Sequence, residues 1–229
     1  MGPVTDNPRL RERTRVFTDR HDAGRQLGVF LKTLPGIQNP VVLAIPAGGV
    51  PVGIEVAVAL GAPFSLAVVR KIRIPGTTES GFGAVTWDGR VLINEELKNA
   101  LGLSGPDVEK AVGETRRNVI ERLARFAGGK SVPPVAGKTV ILADDGLASG
   151  FTMIAAVQSI RRYNPARVIV AVPTASASSA ARVSREADQL ACLNIRSGRT
   201  FAVADAYRNW YDLEDQEVLE ELSRVGGKQ

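Results

Sequence analysis

The sequence predicts an α/β protein on one doubly wound, mostly parallel sheet, with an inserted β-hairpin and flexible loop and a small C-terminal hood. Three observations carry this expectation. Short, apolar, β-branched runs recur at VVLAI (41–45), FSLAVVR (64–70), TVILA (139–143), RVIVAV (167–172) and LACLNI (190–195), as in strands buried on both faces. Segments with helical spacing alternate with them, the order expected of βαβ units and a parallel sheet. Between AVTW and RVLI stands Asp88-Gly89, a strong short-range signal for an antiparallel hairpin.

Taken in order, residues 1–18 read as a polar leader, after which Asp19 or Asp22 caps a helix whose apolar face is Ala23, Leu27, Phe30, Leu31 and Leu34. PGIQNP ends it. The first strand (41–45) passes through PAGGVPVG into a helix from about Val50 to Leu60, and 64–70 is the second strand. RKIRIPGTTESGFG (70–83) is rich in Gly, Thr and charge and reads as a mobile loop; the hairpin occupies 84–93. A helix then starts near Ser104 with Pro106 in its first turn, and Val108, Val112, Thr115, Val119, Leu123 and Phe126 form its stripe. After KSVPPVAGK come the third strand (139–143), a helix over Phe151–Arg162, the fourth strand (167–172), a helix from about Ser176 to Glu186, and the fifth strand. The tail 210–224 reads as a loop leading into an amphipathic helix. There is no internal repeat, so the expected organisation is one domain over 1–229, with 70–93 as loop and hairpin and 200–229 as a C-terminal cap.

Composition narrows the function classes. The chain has 229 residues, 44% hydrophobic and 23% charged, ordinary for a globular protein. One cysteine, Cys192, excludes an intrachain disulfide, and one histidine with one cysteine excludes a zinc site built from those ligands. The formal charge is +5. It is spread along the chain, and between Lys110 and Arg125 it is interleaved with glutamates, as on a solvated helix face. That pattern argues against nucleic acid and suits a pocket for a multiply phosphorylated metabolite, which also needs positive potential. No apolar run is long enough to span a bilayer and the N-terminus lacks a signal-peptide core, so no membrane association is expected and a cytoplasmic location is.

The chemistry concentrates in VILADDGLASGFT, Val140 to Thr152. An apolar strand ends in two adjacent carboxylates, Asp144 and Asp145, and a loop of small residues then opens a helix. Such a loop offers free backbone N–H groups and the positive end of the helix dipole, which is a phosphate cradle. Gly146, Ala148, Ser149, Gly150, Phe151 and Thr152 are its candidate residues; Ser149 and Thr152 add hydroxyls, and Gly150 permits close approach. Carboxylates beside a phosphate cradle make sense for a ligand with hydroxyls one sugar ring from its phosphate, since carboxylates are good acceptors for a vicinal diol. Ribose 5-phosphate is such a ligand. The P-loop pattern is excluded, because no Lys follows the last glycine, and no GxGxxG follows any strand.

This stretch resembles the 5-phosphoribosyl-1-pyrophosphate (PRPP) motif of type I phosphoribosyltransferases: four hydrophobics, two acids and a small-residue loop. Ser149 replaces the usual threonine, and Gly146 stands where an aliphatic residue is commoner. The closer similarity is to a subgroup of predicted phosphoribosyltransferases with a DDGxATG version of the motif, and it extends over FTDRHDAGRQL, IPAGGVPVG, VVRKIRIPGTTESGFGAV, INEEL and the tail near WYDLEDQEV.

The resemblance implies transfer of the 5-phosphoribosyl group from PRPP to a nitrogenous base or amine with release of diphosphate, and Mg²⁺ held mainly through PRPP oxygens rather than directly by the protein. It implies a diphosphate loop at Ala47, Gly48 and Gly49, whose successive N–H groups would face the ligand. Arg70 and Lys71, at the end of the second strand, would neutralise diphosphate charge. Asp144, Asp145 and Lys71 are the candidate catalytic residues. Arg73 would close over the ligand from the loop, where Glu79 stands either near a metal-bound water or exposed. His21 reads as a capping or surface residue rather than a general base. Trp210 and Tyr211 either stack on a base or fasten the C-terminal helix, with fastening preferred, and Pro173 and Thr174 lie near the expected base position. A homodimer is the assembly the resemblance suggests. The competing readings are a PRPP- or nucleotide-responsive regulator without turnover and a hydrolase of phosphoribosyl or phosphate esters. The acceptor is not legible in these residues.

Overall fold

The computed structural model describes residues 1–75, 77, 81–127, 132–198 and 200–226. At its centre is a six-stranded sheet in the order β1-β9-β8-β7-β2-β3, all parallel. Its strands are β1 (Val4–Asp6), β2 (Pro40–Ala44), β3 (Phe64–Leu66), β7 (Thr139–Ala143), β8 (Arg167–Ser176) and β9 (Gln189–Arg196). A separate antiparallel sheet holds β4 (Val69–Arg73), β5 (Gly81–Thr86) and β6 (Val91–Ile93).

The central strands are apolar on both faces because both are covered. Val42, Ile141, Ile169 and Ala191 turn to one side, against Leu27 and Leu31 of α1 (Arg20–Lys32) and Val52 and Val56 of α2 (Gly49–Leu60). Val41, Leu43, Val140, Val168 and Val170 turn to the other, against Met153 and Val157 of α5 (Phe151–Ile160) and Val183 of α6 (Ala177–Val183). This is the doubly wound arrangement. Asp19 is the N-cap of α1, accepting the Asp22 N–H at 2.8 Å. Gly24 and Gly28 let α1 and α2 touch: a Cβ on Gly28 would lie 2.5 Å from Ala59 Cβ.

The hairpin forms where Asp88-Gly89 predicts it. Gly89 donates its N–H to Thr86 O and adopts φ 79°, a left-handed position that favours glycine. Three features depart from the sequence reading. The leader contributes β1, an edge strand paired with β9, and Phe17 is fully buried; a three-residue strand in a polar segment carries too little periodicity to be seen. The run 64–70 is two strands, β3 in the main sheet and β4 in the second, joined through Ala67, whose N–H still bonds Ala44 O at 2.8 Å. An apolar run reports burial but not a change of sheet. The expected loop 70–83 is therefore strand at both ends, and Glu79 lies outside the described residues. A short helix, α3 (Glu95–Ala100), capped by Asn94, precedes the expected long one, α4 (Gly105–Ala127). The tail forms α7 (Asp215–Gly226). Among the described residues no helix is long and apolar enough to cross a membrane.

Candidate active site

The strand order reverses between β2 and β7: the chain leaves β2 for β3 on one side, and β7 for β8 and β9 on the other. At such a switch point the carboxyl ends frame a crevice that neither connection covers. Here it opens into a cleft of about 420 Å³. Ile45, Pro46 and Ala47 enter it from β2, Asp144 from β7 and Thr152 from the first turn of α5. Arg70, Lys71 and Arg73 of β4 line the opposite wall with Arg122 of α4, and Asp212 and Leu213 close one end. The Pro46–Ala47 peptide is cis.

The two acids have different surroundings. Asp144 lines the cleft, and its Oδ1 accepts the Asp145 N–H at 2.9 Å. Asp145 is engaged by Arg20, whose Nε donates to Oδ2 at 2.9 Å, and its carbonyl accepts the Tyr207 hydroxyl at 2.6 Å. Burial and the adjacent Asp145 charge push the Asp144 carboxyl well above the usual carboxylate range. Burial also raises Asp145, against the opposing pull of Arg20. The pair is thus expensive to ionise fully without a ligand that hydrogen-bonds it.

The small-residue loop is held from beneath. Leu147 pairs with β8 through its N–H to Thr174 O, Ser176 Oγ donates to Ala148 O at 3.2 Å, and Arg182 donates to Ser149 O at 2.8 Å. Ala148 and Ser149 are exposed. Gly150 turns at φ 78° and its carbonyl starts the ladder of α5 by accepting Ile154 N–H. The preceding N–H groups, from Phe151 onward, have no carbonyl within the helix to meet, as at any helix start. Gly146 has a packing reason: a Cβ there would lie 2.6 Å from Val203 Cγ1 and 2.9 Å from Thr174 Cγ2. That accounts for the departure from an aliphatic residue at this position.

The loop after β2 corrects one detail. The sequence reading has Gly49 present its N–H to diphosphate, but Gly49 is the first residue of α2 and donates that N–H to Ile45 O at 3.0 Å. Its missing side chain serves close approach, since a Cβ would lie 2.8 Å from Ala143 O and 3.0 Å from Asp144 Cα. Ala47 and Gly48 remain at the cleft and beside Asp145, respectively.

The basic wall is richer than the sequence reading foresaw. Burial pushes the Arg70 guanidinium down to about 10, with Arg122 and Arg73 repelling it and Asp215 opposing them; it stays charged at neutral pH. Burial lowers Arg122 as well, although Asp215 holds it up. Arg122 pairs with Asp215 through Nη2, while its Nη1 is buried without a partner. Crowded cations lining a cleft are what an anionic ligand would stabilise. Arg122 stands one turn after Val119 and one before Phe126, so a charge on the apolar stripe was the signal that went unread.

His21 neither caps α1 nor approaches the cleft; its ring nitrogens contact Glu55 Oε1 at 3.0 Å and Glu221 Oε1 at 3.3 Å, tying α2 to α7. Trp210 packs on Tyr207 with ring centroids 5.1 Å apart, whereas Tyr211 is exposed. Thr174 is buried and donates to Asn194 Oδ1 at 2.7 Å, which makes it a sheet residue.

The switch point of this doubly wound sheet thus joins an acid pair, a small-residue helix start and a wall of basic side chains. The phosphoribosyl transferase domain family matches residues 30–206, and the chain belongs to it. A Mycobacterium tuberculosis protein whose name assigns it to the phosphoribosyl transferases, found in two strains of that organism, is 37% identical over 211 residues, 92% of this chain. The chain spans only 47% of that relative's length. The crystal structure of TT1426 from Thermus thermophilus superposes with a TM-score of 0.73 at 32% identity, covering 91% of this chain and 98% of that one.

Proposed function

We propose that the chain transfers the 5-phosphoribosyl group of PRPP to a nitrogen nucleophile, releasing diphosphate. The observation that carries this reading is the cleft itself, with Asp144 and the α5 start on one wall and Arg70, Lys71, Arg73 and Arg122 on the other. The 5-phosphate suits the N–H groups at Phe151 and Thr152 and the hydroxyls of Ser149 and Thr152, with the loop Gly146–Gly150 wrapped around it. The ribose diol suits the acid pair. Diphosphate suits Arg70, Lys71 and Arg122, with Ala47 and Gly48 beside it.

In this reading the C1–O bond breaks with its electron pair leaving on diphosphate, and the acceptor nitrogen closes on C1. Positive charge develops on the ribose ring as negative charge develops on the leaving group. Asp144 in the cleft, backed by Asp145, strengthens its interaction with the ring as that happens, and the arginine wall does the same for diphosphate. Mg²⁺, held mainly through the oxygens of PRPP and water, would supply further neutralisation of the diphosphate. The oxygen-rich ligand and the hard-ion preference for phosphate and water fit that arrangement. The protein's own part is to bind, orient and exclude water.

The acceptor class is tested by incubating the full chain with PRPP and Mg²⁺ against a panel of nucleobases and simple amines and reading diphosphate release. Release that depends on one acceptor supports transfer. Release with incorporation of labelled water oxygen into ribose 5-phosphate would favour a hydrolase, and PRPP binding without release under any acceptor would favour a regulator.

A further inference from the structure

Arg20 opens α1, where a cation opposes the helix dipole, and it is only 7% exposed. Its partners explain the placement. Nε donates to Asp145 Oδ2 at 2.9 Å, Nη1 donates to the Tyr211 carbonyl at 2.8 Å, and the guanidinium lies 3.9 Å from the centroid of Trp210. Trp210 packs on Tyr207, and the Tyr207 hydroxyl donates to the Asp145 carbonyl. Asp145 is thereby held through both side chain and main chain by residues from the two ends of the chain. A Cβ on Gly48 would come within 1.9 Å of that same Oδ2, so the loop after β2 confines the carboxylate too. From this fixed position the Asp145 N–H reaches Asp144 Oδ1 at 2.9 Å.

We propose that Arg20 is a positioning residue for the transfer: by fixing Asp145 it sets the orientation of Asp144 in the cleft, and it links the C-terminal segment to the acid pair. The kinetic part rests on the reading of the cleft as a PRPP site; the electrostatic part does not. The groups facing the pair are Arg20 from α1, Tyr207 and Asp212 from the C-terminal segment, and Arg70 and Arg122 across the cleft. Of these, Arg20 acts directly on Asp145 to favour its ionised form.

The test compares Arg20→Gln, which keeps a hydrogen-bond donor and loses the charge, with Arg20→Lys, which keeps the charge. Three readouts are taken on the full chain: thermal midpoint, ¹³C-carboxyl titration of Asp144 and Asp145 without substrate, and kcat and KM for PRPP. The expected result for Arg20→Gln is a kcat reduced on the order of tenfold to a hundredfold, a KM that changes less, and carboxyl midpoints moved to higher pH. Arg20→Lys, which keeps the charge but not the fork, should leave the midpoints closer to wild type than Arg20→Gln does and recover part of the kcat. Equal losses in both variants that track the thermal midpoint, with unmoved carboxyl titrations, would overturn the proposal in favour of a purely structural arginine. So would wild-type kcat in Arg20→Gln. If the wild type itself turns over no PRPP, the proposed function fails, and the carboxyl titrations alone decide whether Arg20 controls the pair.

Discussion

At Gly48 a Cβ would stand 1.9 Å from Asp145 Oδ2 and 2.5 Å from its carboxyl carbon. Turning that carboxylate away is not cheap, because Arg20 binds the same oxygen at 2.9 Å. Gly48→Ala should therefore break the Arg20–Asp145 pair or displace the loop after β2, lowering stability by about 1–3 kcal/mol, as overpacking commonly does, and weakening PRPP binding. Denaturant unfolding and calorimetric titration measure the two effects; a variant with wild-type stability and affinity would show that the close approach is not needed. The residues legible in the sequence were those whose chemistry is written locally: Asp144 and Asp145 adjoin each other at the end of an apolar strand, and the small-residue loop follows at once. Arg20 was not legible because its partner lies 125 positions away. The division of labour between the two acids was hidden for the same reason.

The elements around the site were readable wherever a local pattern decides them. β2, β7 and the first half of β8 announce themselves by their apolar runs, VVLA, VILA and VIVAV, and α4 by its stripe. The junction between the two sheets did not, since it depends on tertiary contacts. One of these joins the hairpin to α5: Asp88 accepts hydrogen bonds from Ser159 and Thr86. Burial works against ionisation of Asp88, but those bonds and the backbone N–H of Arg90 hold its carboxyl below the usual carboxylate range. With a folded pKa lower than the unfolded one, the stabilisation is fully present above the unfolded value, about 4 for aspartate, and is lost as pH falls through the folded value. Stability measured from about pH 6 down to about pH 2 should thus fall less steeply in Asp88→Asn than in the wild type, the variant being the weaker of the two near neutrality. Identical pH slopes would mean that this anchor contributes nothing.

Across the whole molecule, the cleft is assembled from the core sheet, the antiparallel sheet, α4 and the C-terminal segment, so charge from distant parts of the chain converges on one volume. Arg122 shows the consequence. It lines the cleft while its Nη2 pairs with Asp215 of α7, so an anion in the cleft meets a guanidinium whose position is already fixed. A charged hydrogen bond contributes roughly 1.5–3 kcal/mol, so Arg122→Gln should weaken diphosphate binding by about tenfold to a hundredfold. Wild-type affinity should also fall as salt is raised, in proportion to the screening of the exposed members of the wall, Lys71 and Arg73. Diphosphate affinity unchanged by the substitution and flat in salt would remove the arginine wall from the binding account.

In the proposed function, the switch-point cleft binds PRPP through the acid pair and the basic wall together. Calorimetric titration of PRPP with Mg²⁺ into the wild type and into Asp144→Asn tests it most directly. Saturable binding of one PRPP per chain is expected for the wild type, with Asp144→Asn folded and at least about tenfold weaker, the loss of one charged contact to the diol. A wild type that binds no PRPP, or an Asp144→Asn variant that binds it equally well, would contradict the account.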